Sequence, residues 1–229
     1  NDVVVLAPKK DGFLGLGLFK GSVDVEIDLA AESTVDARTG SGDIEASGSL
    51  GDVRAATGAG DVTFDQLGSG DLKSGSGDIT VQVLRGDARA KTGSGAVSVG
   101  QSSGELDLVS GSGDVTVRRA DAEVKAKTGS GDVVVAASIA DLDLMTGTGD
   151  VKLGAVHGGT VKARTGTGDV TIAVAKGVAA YLDLNTVTGD VSVALEEADG
   201  PGDAEAQASL SVQSGSGDIR IKRAQVSLA

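Results

Sequence analysis

Nine aspartates recur at one position of a repeated phrase: a small hydroxyl residue, Gly, a small residue, Gly, Asp, then Ile or Val. They are Asp43, Asp61, Asp78, Asp114, Asp132, Asp150, Asp169, Asp190 and Asp218, with Ala96 in the remaining slot. Stacked about 4.8 Å apart, neighbouring carboxylates would repel by roughly 0.9 kcal/mol even at the dielectric of water, so something must offset the charge. Calcium, which prefers oxygen ligands, is one answer, and Asp114, Asp132, Asp150 and Asp169 are the candidate ligands. The calcium β-roll consensus, however, is Gly-Gly-x-Gly-x-Asp-x-aliphatic-x in nine-residue repeats. Here the Asp follows Gly directly, and the phrase marks only one of two turns. The alternative role is structural: each Asp caps its turn, its carboxylate accepting bonds from backbone N–H groups and from the Thr or Ser hydroxyl. Capping is the expected role, and no cofactor is expected.

Other chemistry has little to stand on. His157, in Val156-His-Gly-Gly, is the only histidine, and there is no cysteine, so thiol, disulfide and zinc–thiolate chemistry are excluded. General acid–base catalysis needs convergent groups in a cleft, which a regular repeat does not offer. Aromatic platforms for carbohydrate are missing too, since the chain has no Trp and only Tyr181. The sequence therefore predicts no enzyme and no catalytic residue.

The elements that must position these turns follow from the period of about 18 residues. Such a period marks a stacked-repeat architecture. Each unit reads as two short strands around the glycine turn, as in Val124-Lys-Ala-Lys127, then Thr128-Gly-Ser-Gly-Asp132, then Val133-Val-Val135. Apolar residues alternate on both sides of the turn, the period of a strand. Four inward columns result, typified by Val124, Ala126, Val133 and Val135. The second alternates small and large from Ala55 through Leu184, as directly stacked repeats would. The expected fold is all-β: a single-stranded parallel β-solenoid of about ten rungs, two strands and two turns per rung, making a stack of about 48 Å. A three-sided hexapeptide helix would need an aliphatic residue every six, whereas Val124 to Val133 spans nine.

One outward column supports stacking. Asp36, Arg54, Asp71, Arg89, Asp107, Lys125, Asp143, Lys162 and Asp183 alternate in sign without exception. In a parallel register each charge would lie between two opposite ones, worth about 0.2–1 kcal/mol per pair.

The net charge of −13 argues against nucleic acid and anionic membranes. No stretch approaches the roughly 18 apolar residues of a spanning helix. No signal peptide is visible, and the chain begins at Asn1 rather than Met, so cytoplasm and cell surface both stay open. Residues 1–29 differ from the rest: Val3-Val-Val-Leu6 and Val23-Asp-Val-Glu-Ile-Asp-Leu29 read as strands around a Gly-rich loop carrying Phe13 and Phe19. That segment is expected to cap the open end of a single elongated repeat domain, residues 30–229. The acidic, turn-rich Leu195–Ala206 reads as a surface insertion. Arg220, Lys222 and Arg223, placed on an exposed last strand, would discourage end-to-end pairing, so a monomer is expected, with end-to-end assembly as the alternative.

Phrases such as Ala37-Arg-Thr-Gly-Ser-Gly-Asp-Ile44 and Ala126-Lys-Thr-Gly-Ser-Gly-Asp-Val133 resemble a bacterial β-strand repeat family labelled adhesin, a domain of unknown function. The resemblance covers nearly the whole chain and implies a β-solenoid. It supplies no catalytic residues. Ala96 and Val187, which replaces the first turn glycine, depart from the pattern. The resulting expectation is a non-enzymatic structural or interaction solenoid, an adhesin-like scaffold presenting charged faces to a protein or cell-envelope partner. A calcium-dependent β-roll-like binding module is the alternative, and a polysaccharide-active β-helix enzyme a more distant one.

Overall fold

The computed structural model describes residues 25–195 and 206–224. The chain divides into two compact units, Asn1–Ala30 and Ala31–Ala229. The loop with Phe13 and Phe19 and most of the acidic insertion lie outside the described residues. The strand expected over 23–29 is not formed in its described part: residues 25–29 carry no strand, and Val25, Ile27 and Leu29 are 45–55% exposed. Their alternation has no neighbouring strand to pair with among the described residues, and an isolated strand is not stable.

The second unit is all β among the described residues. Its strands are β1 (Val35–Thr39), β2 (Ile44–Thr57), β3 (Val62–Ser74), β4 (Ile79–Leu84), β5 (Ala88–Thr92), β6 (Val97–Ser102), β7 (Leu106–Ser110), β8 (Val115–Ala120) and β9 (Val124–Thr128). They continue as β10 (Val133–Ser138), β11 (Leu142–Thr148), β12 (Val151–Val156), β13 (Gly159–Thr167), β14 (Val170–Val174), β15 (Val178–Thr188), β16 (Val191–Ala194), β17 (Ala206–Ser216) and β18 (Ile219–Arg223). Every pairing is parallel, and the register advances by about one repeat, as in Val97↔Val115 and Leu142↔Val124. Coils of about 18 residues thus stack into a β-solenoid with two sheets. The strand segments that precede each glycine turn form one face, the first sheet, and those that follow it the other, the second sheet; β2 and β3 run across both.

The four inward columns occupy the core as the alternation requires. Val124, Ala126 and Val133 are fully buried, Val135 is 1% exposed, and their equivalents above and below are similarly enclosed. A fifth inward column was not anticipated. Leu50, Leu67, Leu84, Ser102, Ala120, Ser138, Val156 and Val174 stack at the ends of the second-sheet strands and close the core beneath the variable turn. Their spacing matches that of the other columns, but the mixture of Leu, Ser, Ala and Val hides it.

The order of stacking departs from the order of sequence at one end. β13 pairs with β17, and β17 with β15; likewise β14 pairs with β18, and β18 with β16. The last rung in the chain therefore sits inside the stack, and the preceding rung forms its end. This corrects two expectations. Lys162 faces Ser211 rather than Asp183, so the alternation of charge stops at Lys162. Arg220, Lys222 and Arg223 lie on an interior strand, so they do not blunt the edge.

Val187 marks the displaced rung. The other turns place glycine at this position, and these glycines stack backbone to backbone. A Cβ added at Gly215 would stand 2.5 Å from the Gly166 carbonyl oxygen. Val187 replaces that glycine in the end rung, where its side chain projects 84% exposed.

Candidate functional site

The glycine turns form two parallel ladders of side-chain bonds. In the inner one, five buried hydroxyls work in two directions, while Thr146, Thr165 and Ser214 make only the donated bond. Thr57 Oγ1 accepts the Gly60 N–H of its own turn and donates to the Gly42 carbonyl of the rung below, both at 3.0 Å. Ser74, Thr92, Ser110 and Thr128 repeat the pair. The hydroxyl column thus satisfies backbone groups that the tight turn would otherwise bury unpaired.

In the outer ladder, Oδ1 of eight of the nine Asp accepts the backbone N–H of the next turn along the stack. Asp43 receives Asp61 N–H at 2.9 Å, and Asp61, Asp78, Asp114, Asp132 and Asp150 receive those of Asp78, Ala96, Asp132, Asp150 and Asp169. Asp169 receives Asp218, and Asp218 receives Asp190, following the altered order. Each of these Asp therefore caps its neighbour's turn, not its own, and the expected bond from the Thr or Ser hydroxyl is replaced by the hydroxyl-to-glycine carbonyl bond. Ala96 still donates to Asp78 but offers no carboxylate to Asp114.

Two cations thread the outer oxygens. Lys152 Nζ lies 3.1 Å from Asp132 Oδ2 and 3.0 Å from Asp150 Oδ2. Arg220 reaches Asp169 Oδ2 at 2.9 Å and Asp218 Oδ2 at 2.5 Å. The Asp150 N–H, with Lys152, holds the Asp132 carboxyl below the usual aspartate value, and the Asp218 N–H, with Arg220, does the same for Asp169. Hydrogen bonds to Asp150 and Asp132 hold the Lys152 ammonium protonated. Of the calcium candidates, Asp132, Asp150 and Asp169 thus spend one oxygen on a backbone N–H and the other on a side-chain cation; Asp114 makes only the backbone bond among the contacts found. Among the described residues no group of three or more His, Cys, Asp or Glu converges to hold a metal ion.

The charged column runs down the first sheet. Asp36, Arg54, Asp71, Arg89, Asp107, Lys125, Asp143 and Lys162 are successive register partners. Only Arg89 and Asp107 meet directly, at 2.7 Å. Asp36, Asp71 and Lys125 pair along their own strand with Arg38, Lys73 and Glu123, and Asp143 meets Arg164 diagonally at 3.7 Å. A side chain standing upright on a sheet reaches its i±2 neighbour as readily as its cross-strand one, which the spacing of one column does not reveal.

A second acidic column, absent from the sequence reading, edges the same sheet. Asp87, Glu105 and Glu123 precede their strands and, with Arg89, Asp107 and Lys125, line a shallow groove of about 420 Å³ beside Gly70 and Ala88. Asp87 and Asp141 cap the next rung there, accepting the N–H of Glu105 and Thr160. The signal was an acidic residue directly before the first inward column, hidden because Ser69 and Thr160 interrupt it. His157 stands apart, its backbone N–H bonded to the Ser138 carbonyl.

The second sheet offers no such display. Its corresponding outward column starts at Glu45, runs through Thr63, Thr80, Ser98, Thr116 and Val134, and regains charge only at Lys152 and Arg220. The Toastrack DUF4097 family model matches residues 1–138 and again residues 86–227. The chain belongs to the Toastrack DUF4097 family. Residues 86–138 satisfy both matches, as a repeat with translational symmetry allows. No curated protein and no solved structure matches the chain. In this Toastrack chain the repeated turn bonds each level to the next.

Proposed function

We propose that this Toastrack solenoid is a non-enzymatic scaffold whose first sheet presents an ordered array of charge to a protein or cell-envelope partner. The supporting observation is the asymmetry of the two sheets: eight successive charged residues in one central column, against a column on the other in which five hydroxyl or aliphatic residues, Thr63 to Val134, separate Glu45 from Lys152. Charge arranged this way sets orientation and partner choice more than raw affinity. The scaffold stays rigid because each turn is bonded to the next.

Binding of the purified chain to cell-envelope fractions, followed by co-sedimentation across a salt series, tests the reading. Binding is expected to weaken as salt rises and to fall when Arg89 and Asp107 are exchanged, a swap that keeps their mutual pairing. Turnover of an acidic polysaccharide that disappears on replacing Glu105 or Glu123 with Gln would instead establish an enzyme. A melting temperature raised by calcium and lowered by chelator would favour the calcium-dependent module.

A further inference from the structure

The end rung, β15–β16, carries core residues that no described strand covers. Val191 and Val193 are 47% and 46% exposed, while Ile219 and Ile221, their partners one level inside, are 0% and 1% exposed. Tyr181 is 74% exposed on the same rung. The backbone there is open as well. Throughout the stack, inward-facing residues donate their N–H to the following level: Val62 to Asp78, Ala88 to Glu105, Val151 to Asp169, Ile219 to Asp190. On the end rung the equivalent residues are Leu182, Leu184, Val191 and Val193, and no described strand lies beyond them. Edge strands are normally blunted by Lys, Pro or bulges. β15 and β16 contain none of Lys, Arg or Pro.

We infer that this rung docks on the same rung of a second copy of the chain, about a two-fold axis that sets the first sheet of one copy beside the second sheet of the other. A two-fold makes the strands meet antiparallel, which gives each open N–H and C=O a partner and covers Val191 and Val193 in both copies at once. Charge selects among the possible end contacts. Head-to-tail stacking in register would lay Asp183 over Asp36, the first residue of the charged column. A two-fold joining like sheets would bring Asp183 towards its own copy. The crossed two-fold instead points Asp183 at the second sheet of the partner copy, where Arg220 and Lys222 lie one level inside Ser192 and Ala194. Like charges directly opposite are destabilising, so only the crossed arrangement is free of the penalty.

Sedimentation velocity of the full chain over a concentration series tests this, together with Asp183→Lys, an exposed outward substitution that leaves the core intact. The mass is expected to rise from 22.4 kDa towards twice that value and no further. Asp183→Lys is expected to weaken the dimer severalfold, with an unchanged melting temperature in the dilute monomer. A dimer strengthened by Asp183→Lys would overturn the crossed geometry, and growth beyond two copies would establish head-to-tail stacking. A chain monomeric at every concentration would overturn the inference. Hydrogen exchange at Leu182, Leu184, Val191 and Val193 would then tell whether another segment of the same chain covers the rung or the edge stays open.

Discussion

A rung in the middle of the stack and the rung at its end are built from the same residue types yet live in different environments. Leu144, Val133 and Val135 are at most 1% exposed; Leu184 is only partly buried, and Val191 and Val193 are half-exposed. Nothing in the local phrase distinguishes them. In a solenoid each rung leans only on its neighbours, so the energetic weight of a residue depends on how many neighbours its rung has. Matched substitutions in the two places therefore measure stacking itself.

The largest difference is expected in the glycine column. Gly111→Ala puts a Cβ hard against the Gly93 carbonyl, inside a stack closed on both sides by backbone. Neither side can move without breaking a ladder, and a loss of more than about 3 kcal/mol is expected, or failure to fold. Gly40, in the first rung, has no atom within 4 Å of an added Cβ, so Gly40→Ala should change stability by less than about 0.5 kcal/mol. Urea denaturation of both variants checks this; equal costs would mean that stacking does not constrain the column.

The apolar columns come next. Leu144→Ala leaves a hole between Ala126 and Ala163, its register partners, which are too small to fill it. A cost of about 2–5 kcal/mol is expected. Leu184→Ala, with no rung above it, should cost under about 1.5 kcal/mol in the monomer. A near-neutral Leu144→Ala would contradict its place in the core.

How much of this was legible in the sequence follows the same division. Inward and outward columns were readable because strand alternation and an 18-residue period over-determine them, as at Val124, Ala126 and Val133. The capping function of the aspartates was readable, but its direction was not: a side chain that bonds the neighbouring rung carries the same local signature as one that bonds its own turn. The order of the last two rungs was hidden behind a charge pattern, Lys162 then Asp183, that pointed to sequential stacking. Val187 was the one residue that contradicted it. An exposed ion pair is worth at most about 1 kcal/mol, too little to fix the order of two rungs. The second acidic column and the fifth inward column were missed because each mixes residue types, and periodicity is recognised only where chemistry repeats.

The buried hydroxyls give a smaller contrast. Ser110→Ala removes a group 2% exposed and strands both the Gly113 N–H and the Gly95 carbonyl, at an expected cost of about 1–3 kcal/mol. Thr186, on the end rung, donates to the Gly217 carbonyl from a half-buried position where water can substitute. Thr186→Val should therefore cost less than half as much. Comparable losses in thermal melts would mean that the end turn is as dry as the middle.

The smallest effect, and the one with a pH signature, belongs to the aspartates. Asp132 caps the Asp150 turn and touches Lys152, whereas Asp190, in the end rung, has no following turn to cap among the described residues. Asp132→Ala is expected to cost about 0.5–1 kcal/mol, the low end for a lost cap because solvent screens the exposed carboxylate. Asp132→Asn should cost less, since an amide oxygen still accepts the N–H, and changes at Asp190 should be silent. The folded-state pKa of Asp132 lies below its ordinary value of 3.8, so its ionised form is favoured by folding. The resulting stability is fully present above that value and is lost as the pH falls through the lowered one. Melting curves of the parent and Asp132→Asn should accordingly converge in acid, below about pH 4, and separate above it. A gap that stays constant through the acid range would mean that the carboxylate charge contributes nothing and that only the shape of the cap matters.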